Sequence, residues 1–177
     1  LNSYMLFRFC PGCGISQSET AFNEDAQKFR CPDCEFELYR NTATTSSMIL
    51  RCGEQFLFSV RANEPSRGFL DFPGGFVDPG ESIEEAFVRE MDEELGWCPE
   101  DFQYAFSSPN IYLYQGVTYH TSDVFYYAEV AEKPDVNAAD DVADLRWLSL
   151  SDIHDEDLAF ASMKLAVDQL REIFGVP

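Results

Sequence analysis

Apolar residues recur along this chain with two different periods, and the change of period marks its elements. In "TATTSSMIL" and "EQFLFSVRA" β-branched and aromatic residues predict two strands around the turn Cys52-Gly53-Glu54. Glycine and proline then cluster through "EPSRGFLDFPGG", which predicts loop and close backbone approach. "SIEEAFVREMDEELG" changes to helical spacing: Ile83, Phe87, Met91 and Leu95 form one apolar stripe. Ser82 is placed to cap that helix, with Glu85 three residues on completing a capping box and Gly96 following the last turn. "NIYLYQGV", "SDVFYYAEV" and "LRWLSL" predict further strands, and "SDIHDEDLAFASMKLAVDQLREIF" predicts one or two closing helical segments. Strands, a helix, more strands and a last helix predict an α/β fold with a mixed sheet between helices.

Residues 1–40 follow neither period. They carry Cys10-x2-Cys13 and Cys31-x2-Cys34, with seventeen residues between the pairs, and a few phenylalanines. So small an apolar set does not hold a forty-residue unit together. A tetrathiolate metal would, because metal-binding free energy is then folding free energy. Two Cys-x2-Cys turns let four thiolates converge in a zinc ribbon, so Zn2+ is expected on Cys10, Cys13, Cys31 and Cys34, in a structural role. Two disulfides or a rubredoxin-like iron are the alternatives. The first knuckle has Gly14 after its second cysteine, whereas the second has Glu35. The expected division is therefore residues 1–40 as the ribbon and 41–177 as the main domain.

Composition narrows the function. Hydrophobic residues make up 45% of the 177 and aromatic residues 15%, enough for a sizeable core. No apolar run approaches the roughly 20 residues of a membrane span. The start "LNSYMLFRF" lacks the charged start and cleavage site of a secretory signal, so a cytoplasmic location is expected. A formal charge of −20 argues against stable nucleic-acid binding, which needs the opposite sign on the contact face. An anionic small molecule would need metal, local arginines or backbone N–H groups to approach such a protein.

The acid is concentrated on one segment. From Asp78 to Asp101 the single cation is Arg89. Like charges three or four residues apart destabilise a helix, so a compensating cation is expected. Glu90, Glu93 and Glu94 share a helix face away from the apolar stripe, and hard carboxylate ligands suit Mg2+ or Mn2+. Taken alone, the same acids also read as a solvated surface.

The stretch from Gly75 to Trp97 matches G-x5-E-x7-R-E-U-x-E-E-x-G-U (U apolar) at Gly75, Glu81, Arg89, Glu90, Glu93, Glu94 and Gly96. This is the Nudix box, and residues 41–177 resemble the Nudix hydrolases. The resemblance implies an α/β/α sandwich and metal-dependent hydrolysis of a nucleoside diphosphate linked to another group. It implies Glu90, Glu93, Glu94 and the Gly75 carbonyl as Mg2+ or Mn2+ ligands, with Glu90 also a candidate to activate water. Glu81 and Arg89 would orient the box. A further acid after the box serves as ligand or general base in several members; Asp141, six positions before Trp147, is the candidate, with Asp140 and Asp144 competing and a solvated turn as the alternative.

A zinc ribbon ahead of such a domain is similar to the NADH pyrophosphatases and to a related group acting on ADP-ribose or FAD. The Ser-Gln-Pro-Trp-Pro-Phe-Pro segment of the NADH enzymes is replaced here by "SSPNIYLYQGV", which favours ADP-ribose or FAD over NADH. Arg61 and Arg67 are candidates for phosphate, and Tyr112 for the base; Tyr114, Tyr119 and Phe125 are also available, though alternating strand aromatics equally build cores. No motif surrounds His120 or His154, and Cys52 and Cys98 read as unpaired thiols. The expected partner is a small-molecule nucleotide, a homodimer is left open, and a binding module without turnover is the competing class.

Overall fold

The computed structural model describes residues 7–16, 22–23 and 25–176. The chain divides into two compact units, Leu1–Thr42 and Ala43–Pro177.

In the first unit, strands β1 (Phe22–Asn23), β2 (Lys28–Arg30) and β3 (Glu37–Tyr39) form an antiparallel sheet. Its core is Cys10, Phe29 and Cys31, with Phe7, Phe22 and Phe36 packed around them. The two knuckles turn alike, with the Gly14 N–H donating to the Cys10 carbonyl and the Glu35 N–H to the Cys31 carbonyl. Both closing residues are left-handed, Gly14 at φ +75° and Glu35 at φ +60°. The four sulfurs lie within 4.8 Å of one another, at 3.6 Å for Cys10–Cys34 and 3.8 Å for Cys13–Cys31. Tetrahedral bonds of about 2.3 Å place sulfurs about 3.8 Å apart, so the cluster has the dimensions of a Zn2+ site.

The second unit contains β4 (Ala43–Cys52), β5 (Gln55–Arg61), β6 (Leu70–Asp71), β7 (Gly74–Phe76), α1 (Ile83–Leu95), β8 (Gln103–Tyr114), β9 (Val117–Glu129), β10 (Val142–Ser149) and α2 (Ala161–Phe174). The sheet runs β10-β5-β4-β9-β8, with β6 beside β5 and β7 beside β4. It is mixed: β4 and β9 are parallel, with Thr45 opposite Asp123, and the other pairings are antiparallel.

Alternation along the central strands supplies a core on each face. Met48 and Leu50 of β4 and Val124, Tyr126 and Ala128 of β9 meet Phe87, Met91 and Leu95 of α1. The intervening Ile49 and Phe125 join Phe56 and Phe58 of β5 under Met163, Ala166, Val167 and Leu170 of α2. The result is an α/β/α sandwich. The predicted glycine- and proline-rich loop holds two short strands, β6 and β7, and β8 begins at Gln103, seven residues before "NIYLYQGV". Both differences arise because pairing with a neighbour, rather than local propensity, makes these residues extended. Ahead of α2, "SDIHDED" forms two 3-10 turns, Leu150–Asp152 and Asp155–Asp157.

Candidate active site

Helix α1 carries the acids and is fixed at both ends. The Glu85 N–H donates to Ser82 Oγ (3.1 Å) and the Ser82 N–H to Glu85 Oε2 (2.8 Å), closing the capping box. Gly96 ends the helix at φ +63°, a conformation costly for any residue with a Cβ. With Phe87, Met91 and Leu95 buried, Glu90, Glu93 and Glu94 emerge on the side facing β7.

Arg89 draws the box together. Its Nε and Nη2 donate to the two oxygens of Glu81 (2.8 and 3.0 Å), Nη1 donates to Glu90 (2.8 Å) and Glu93 (3.0 Å), and Nη2 also reaches the Phe76 carbonyl (2.9 Å). Glu81 in turn accepts the Asp78 N–H (3.1 Å). Part of the repulsion expected on this helix is thus relieved by its one cation. Arg89 holds the Glu81 carboxyl below its ordinary value, and these contacts raise the Arg89 pKa further.

Among the described residues Glu94 has no such cationic partner. Only 5% exposed, it accepts the Gly74 N–H (2.8 Å), and burial, reinforced by Glu90, Asp71 and Asp141, pushes its pKa up to about 9. Burial also raises Glu90, against the pull of Arg89. At Gly75 a Cβ would fall 2.6 Å from the Glu90 carboxyl carbon, so a larger residue there would push this carboxylate away from strand β7. Clustered hard-oxygen donors, one of them buried and lacking a positive partner, fit a divalent cation such as Mg2+ or Mn2+.

These residues line one side of a cleft of about 270 Å3. Asp140 and Asp141 also line it, but Asp144 does not and instead pairs with Arg146 (3.2 Å). Asp141 is held by Asn63, whose Nδ2 donates to Oδ1 (2.7 Å), while its carbonyl accepts the Ala62 N–H (2.9 Å). Arg61 enters the cleft, bound to Asp71 (3.0 Å) and lying over the Phe160 ring (4.9 Å). Burial raises the Asp71 carboxyl to about 6 despite that guanidinium. Arg67 is not brought here; it lines a separate recess with Arg146, Asp152 and Glu156. Tyr112 is at the cleft, edge-on to Phe76 with centroids 5.5 Å apart. Phe125 is core, and Tyr114 and Tyr119 are exposed on the β8–β9 hairpin. The sequence reading missed Asn63, Asp71, Asn110, Thr121, Asp123 and Phe160. For Thr121 and Asp123 one signal existed, two polar residues two apart leading into an apolar strand.

An acidic box on the helix of an α/β/α sandwich, facing a polar cleft, defines a class, and the comparisons agree. The NUDIX domain family model matches residues 41–168, and the chain belongs to the Nudix family, as a Nudix hydrolase. It is similar to the ADP-ribose pyrophosphatase of Methanocaldococcus jannaschii, 30% identical over 139 residues covering 77% of this chain and 78% of the relative. It is also similar to the NAD-capped RNA hydrolase NudC of Deinococcus radiodurans, 26% identical over 165 residues, 91% of this chain and 55% of that one. The chain spans about half the length of the NudC relatives it matches. The fold is shared with the NUDIX domain of Shewanella oneidensis NrtR, solved with ADP ribose (24% identity, 77% and 90% coverage, TM-score 0.62). A MutT NUDIX hydrolase from Burkholderia pseudomallei is similar at 25% identity, 73% and 98% coverage and TM-score 0.63. No helix among the described residues is long and apolar enough to cross a membrane.

Proposed function

We propose that this chain hydrolyses the diphosphate bond of a nucleoside diphosphate derivative, with ADP-ribose or FAD preferred, and that it requires Mg2+ or Mn2+. The observation that carries the reading is the carboxylate platform: Glu90, Glu93 and buried Glu94 on one helix face, closed against the Gly75 backbone. Glu90, Glu93, Glu94 and the Gly75 carbonyl would hold the cation. Bound there, it neutralises phosphate oxygens and makes a nearby water more acidic.

The protein's own groups do the rest. Arg89 and Glu81 keep the box in register. Asp141, oriented by Asn63, is assigned either to accept the proton or to complete the ligand set. Arg61, fixed by Asp71 and Phe160, meets a phosphate or the base. The 30% identity to an ADP-ribose pyrophosphatase supports the substrate class. A second reading, NADH or an NAD-type cap, draws on the likeness to NudC. The charge of −20 opposes the RNA form, and residues Ser107–Val117, which end β8 and turn into β9, lack the NADH-type segment. In the first unit, the four cysteines are assigned to structural Zn2+.

The test is AMP release from ADP-ribose, FAD and NADH, and nicotinamide mononucleotide release from NAD-capped RNA, with and without Mg2+. ADP-ribose or FAD should be cleaved faster than NADH, and only with metal. NADH or capped RNA preferred by tenfold or more in kcat/KM would overturn the substrate assignment, and no turnover of any of the four would overturn the reaction.

A further inference from the structure

The acidic side of the cleft accounts for metal and phosphate, but not for its floor. The floor continues the sheet face that carries Ile49 and Phe125 into the core beneath α2. Toward the cleft the same face turns polar, with Thr45 on β4 and Thr121 and Asp123 on β9. Asn110 of β8 lies opposite Thr121, as Thr45 lies opposite Asp123. Thr121 is 3% exposed, Asp123 7% and Asn110 9%.

Their hydrogen bonding is incomplete. Thr45 Oγ1 donates to Asp123 (3.0 Å), whereas the buried Thr121 hydroxyl has no partner among the described residues. An unsatisfied buried hydroxyl is destabilising, a cost valine would not incur. Asp123 is a carboxylate with Asp71 near enough to feel its charge, which disfavours an anion at that point of the floor. A neutral group that donates hydrogen bonds suits it. Two adjacent hydroxyls do so best, one on the carboxylate and one shared with a hydroxyl or amide, which is how an acidic residue reads a ribose in dinucleotide sites.

We propose that Asn110, Thr121 and Asp123 form a sugar-reading subsite, in which a ribose of the substrate sets its vicinal hydroxyls on Asp123 and Thr121. The proposal rests on reading the cleft as one for nucleoside diphosphate derivatives, and it names the part of the substrate that the sheet reads. Tyr112 and Phe160, ring centroids 5.5 Å apart, line the same cleft.

Calorimetric affinities in Mg2+-free buffer test it. The probes are ADP-ribose, its analogues lacking one 2-hydroxyl on either ribose, and the analogue with hypoxanthine in place of adenine. One deoxy analogue should bind the unaltered protein at least tenfold more weakly, and the hypoxanthine analogue less than threefold. Thr121→Val should weaken ADP-ribose at least tenfold yet bind that deoxy analogue as the unaltered protein does, since the two losses remove one interaction. The ligand-free Thr121→Val protein should melt at the same temperature or higher, which separates lost recognition from misfolding. Asp123→Asn should also weaken ADP-ribose at least tenfold, without making binding sensitive to the base. Thr121→Val binding ADP-ribose normally, equal losses for every probe, a response to the base alone, or no ADP-ribose binding would each overturn the subsite. Turnover with Mg2+ is scored separately: hydrolysis without floor dependence defeats the subsite alone, and floor-dependent binding without hydrolysis defeats the hydrolase reading alone.

Discussion

The cysteine cluster and the carboxylate face, both proposed as metal sites, differ in what stands behind them. Four sulfurs converge within 4.8 Å, two of them (Cys10 and Cys31) in a core that otherwise consists of Phe29 and a few partly buried rings, and two (Cys13 and Cys34) exposed. The carboxylates stand on a helix already anchored by Phe87, Met91 and Leu95 in a large apolar cluster. In the proposed reading, four cysteines leave no position for substrate, and a cation there would be part of the fold. The carboxylates face a cleft, where a cation would take part in the reaction. A closed soft site therefore contributes stability, and an open hard site costs it, because charge is gathered before the metal arrives.

Metal removal should expose the largest difference. Structural Zn2+ in small fingers contributes roughly 10–16 kcal/mol of apparent binding free energy, which here would be folding free energy of the first unit. Metal analysis should find about one Zn2+ per chain. Cys31→Ala should abolish it and collapse amide protection over residues 22–39, leaving the melting of the second unit unchanged. A metal-free protein that keeps that protection would erase the contrast.

Glu94→Gln tests the other side. It keeps the shape and an acceptor for the Gly74 N–H but cannot ionise to hold a cation, whereas Glu94 is kept protonated without one by burial and by Glu90, Asp71 and Asp141. Turnover in saturating Mg2+ should fall at least about a hundredfold, since metal stabilisation of phosphate charge is worth several kcal/mol and about 1.4 kcal/mol is a factor of ten. Melting without Mg2+ should stay level or rise. Near-normal turnover in both Glu94→Gln and Glu93→Gln would refute the assignment of this face to metal.

The smallest effect lies between the two knuckles themselves. Glu35 occupies the left-handed position that Gly14 fills in the first turn, and its ion pair with Arg30 (3.4 Å) is solvent-exposed. Left-handed backbone costs a residue with a Cβ about 1–2 kcal/mol, and glycine returns part of that as chain entropy. Glu35→Gly should therefore raise the stability of the first unit by about 1 kcal/mol, read as slower Zn2+ loss to a chelator. Faster loss would show that the exposed pair matters more than the backbone.

What was readable without the fold is what is written in short range. Helical spacing alone placed Glu90, Glu93 and Glu94 together, and Ser82, Glu85 and Gly96 bounded the helix where it is found. The two Cys-x2-Cys pairs announced a tetrathiolate cluster before the sulfurs were seen to converge. Two-residue alternation predicted strands, and hence a mixed sheet between helices. These signals are legible because each depends on residues within one or two turns of one another, where backbone geometry dictates who is a neighbour.

The rest was decided by contacts between distant parts of the chain. Nothing local says that β4 lies parallel to β9 with Thr45 opposite Asp123, and that register alone assembles the polar floor. Nothing local chooses Asp141 over Asp144; the loop bearing Asn63 turns one toward the cleft, and Arg146 holds the other away. Arg61 and Arg67, equivalent on paper, part because β5 carries Arg61 alongside Asp71 while Arg67 lies beyond the strand end. Alternation tells a residue which face of a strand it occupies but not which strand lies beside it. Sequence alone therefore determined the ligands that one helix or one knuckle can gather, and only the tertiary structure determined the pocket that sheet pairing builds around them.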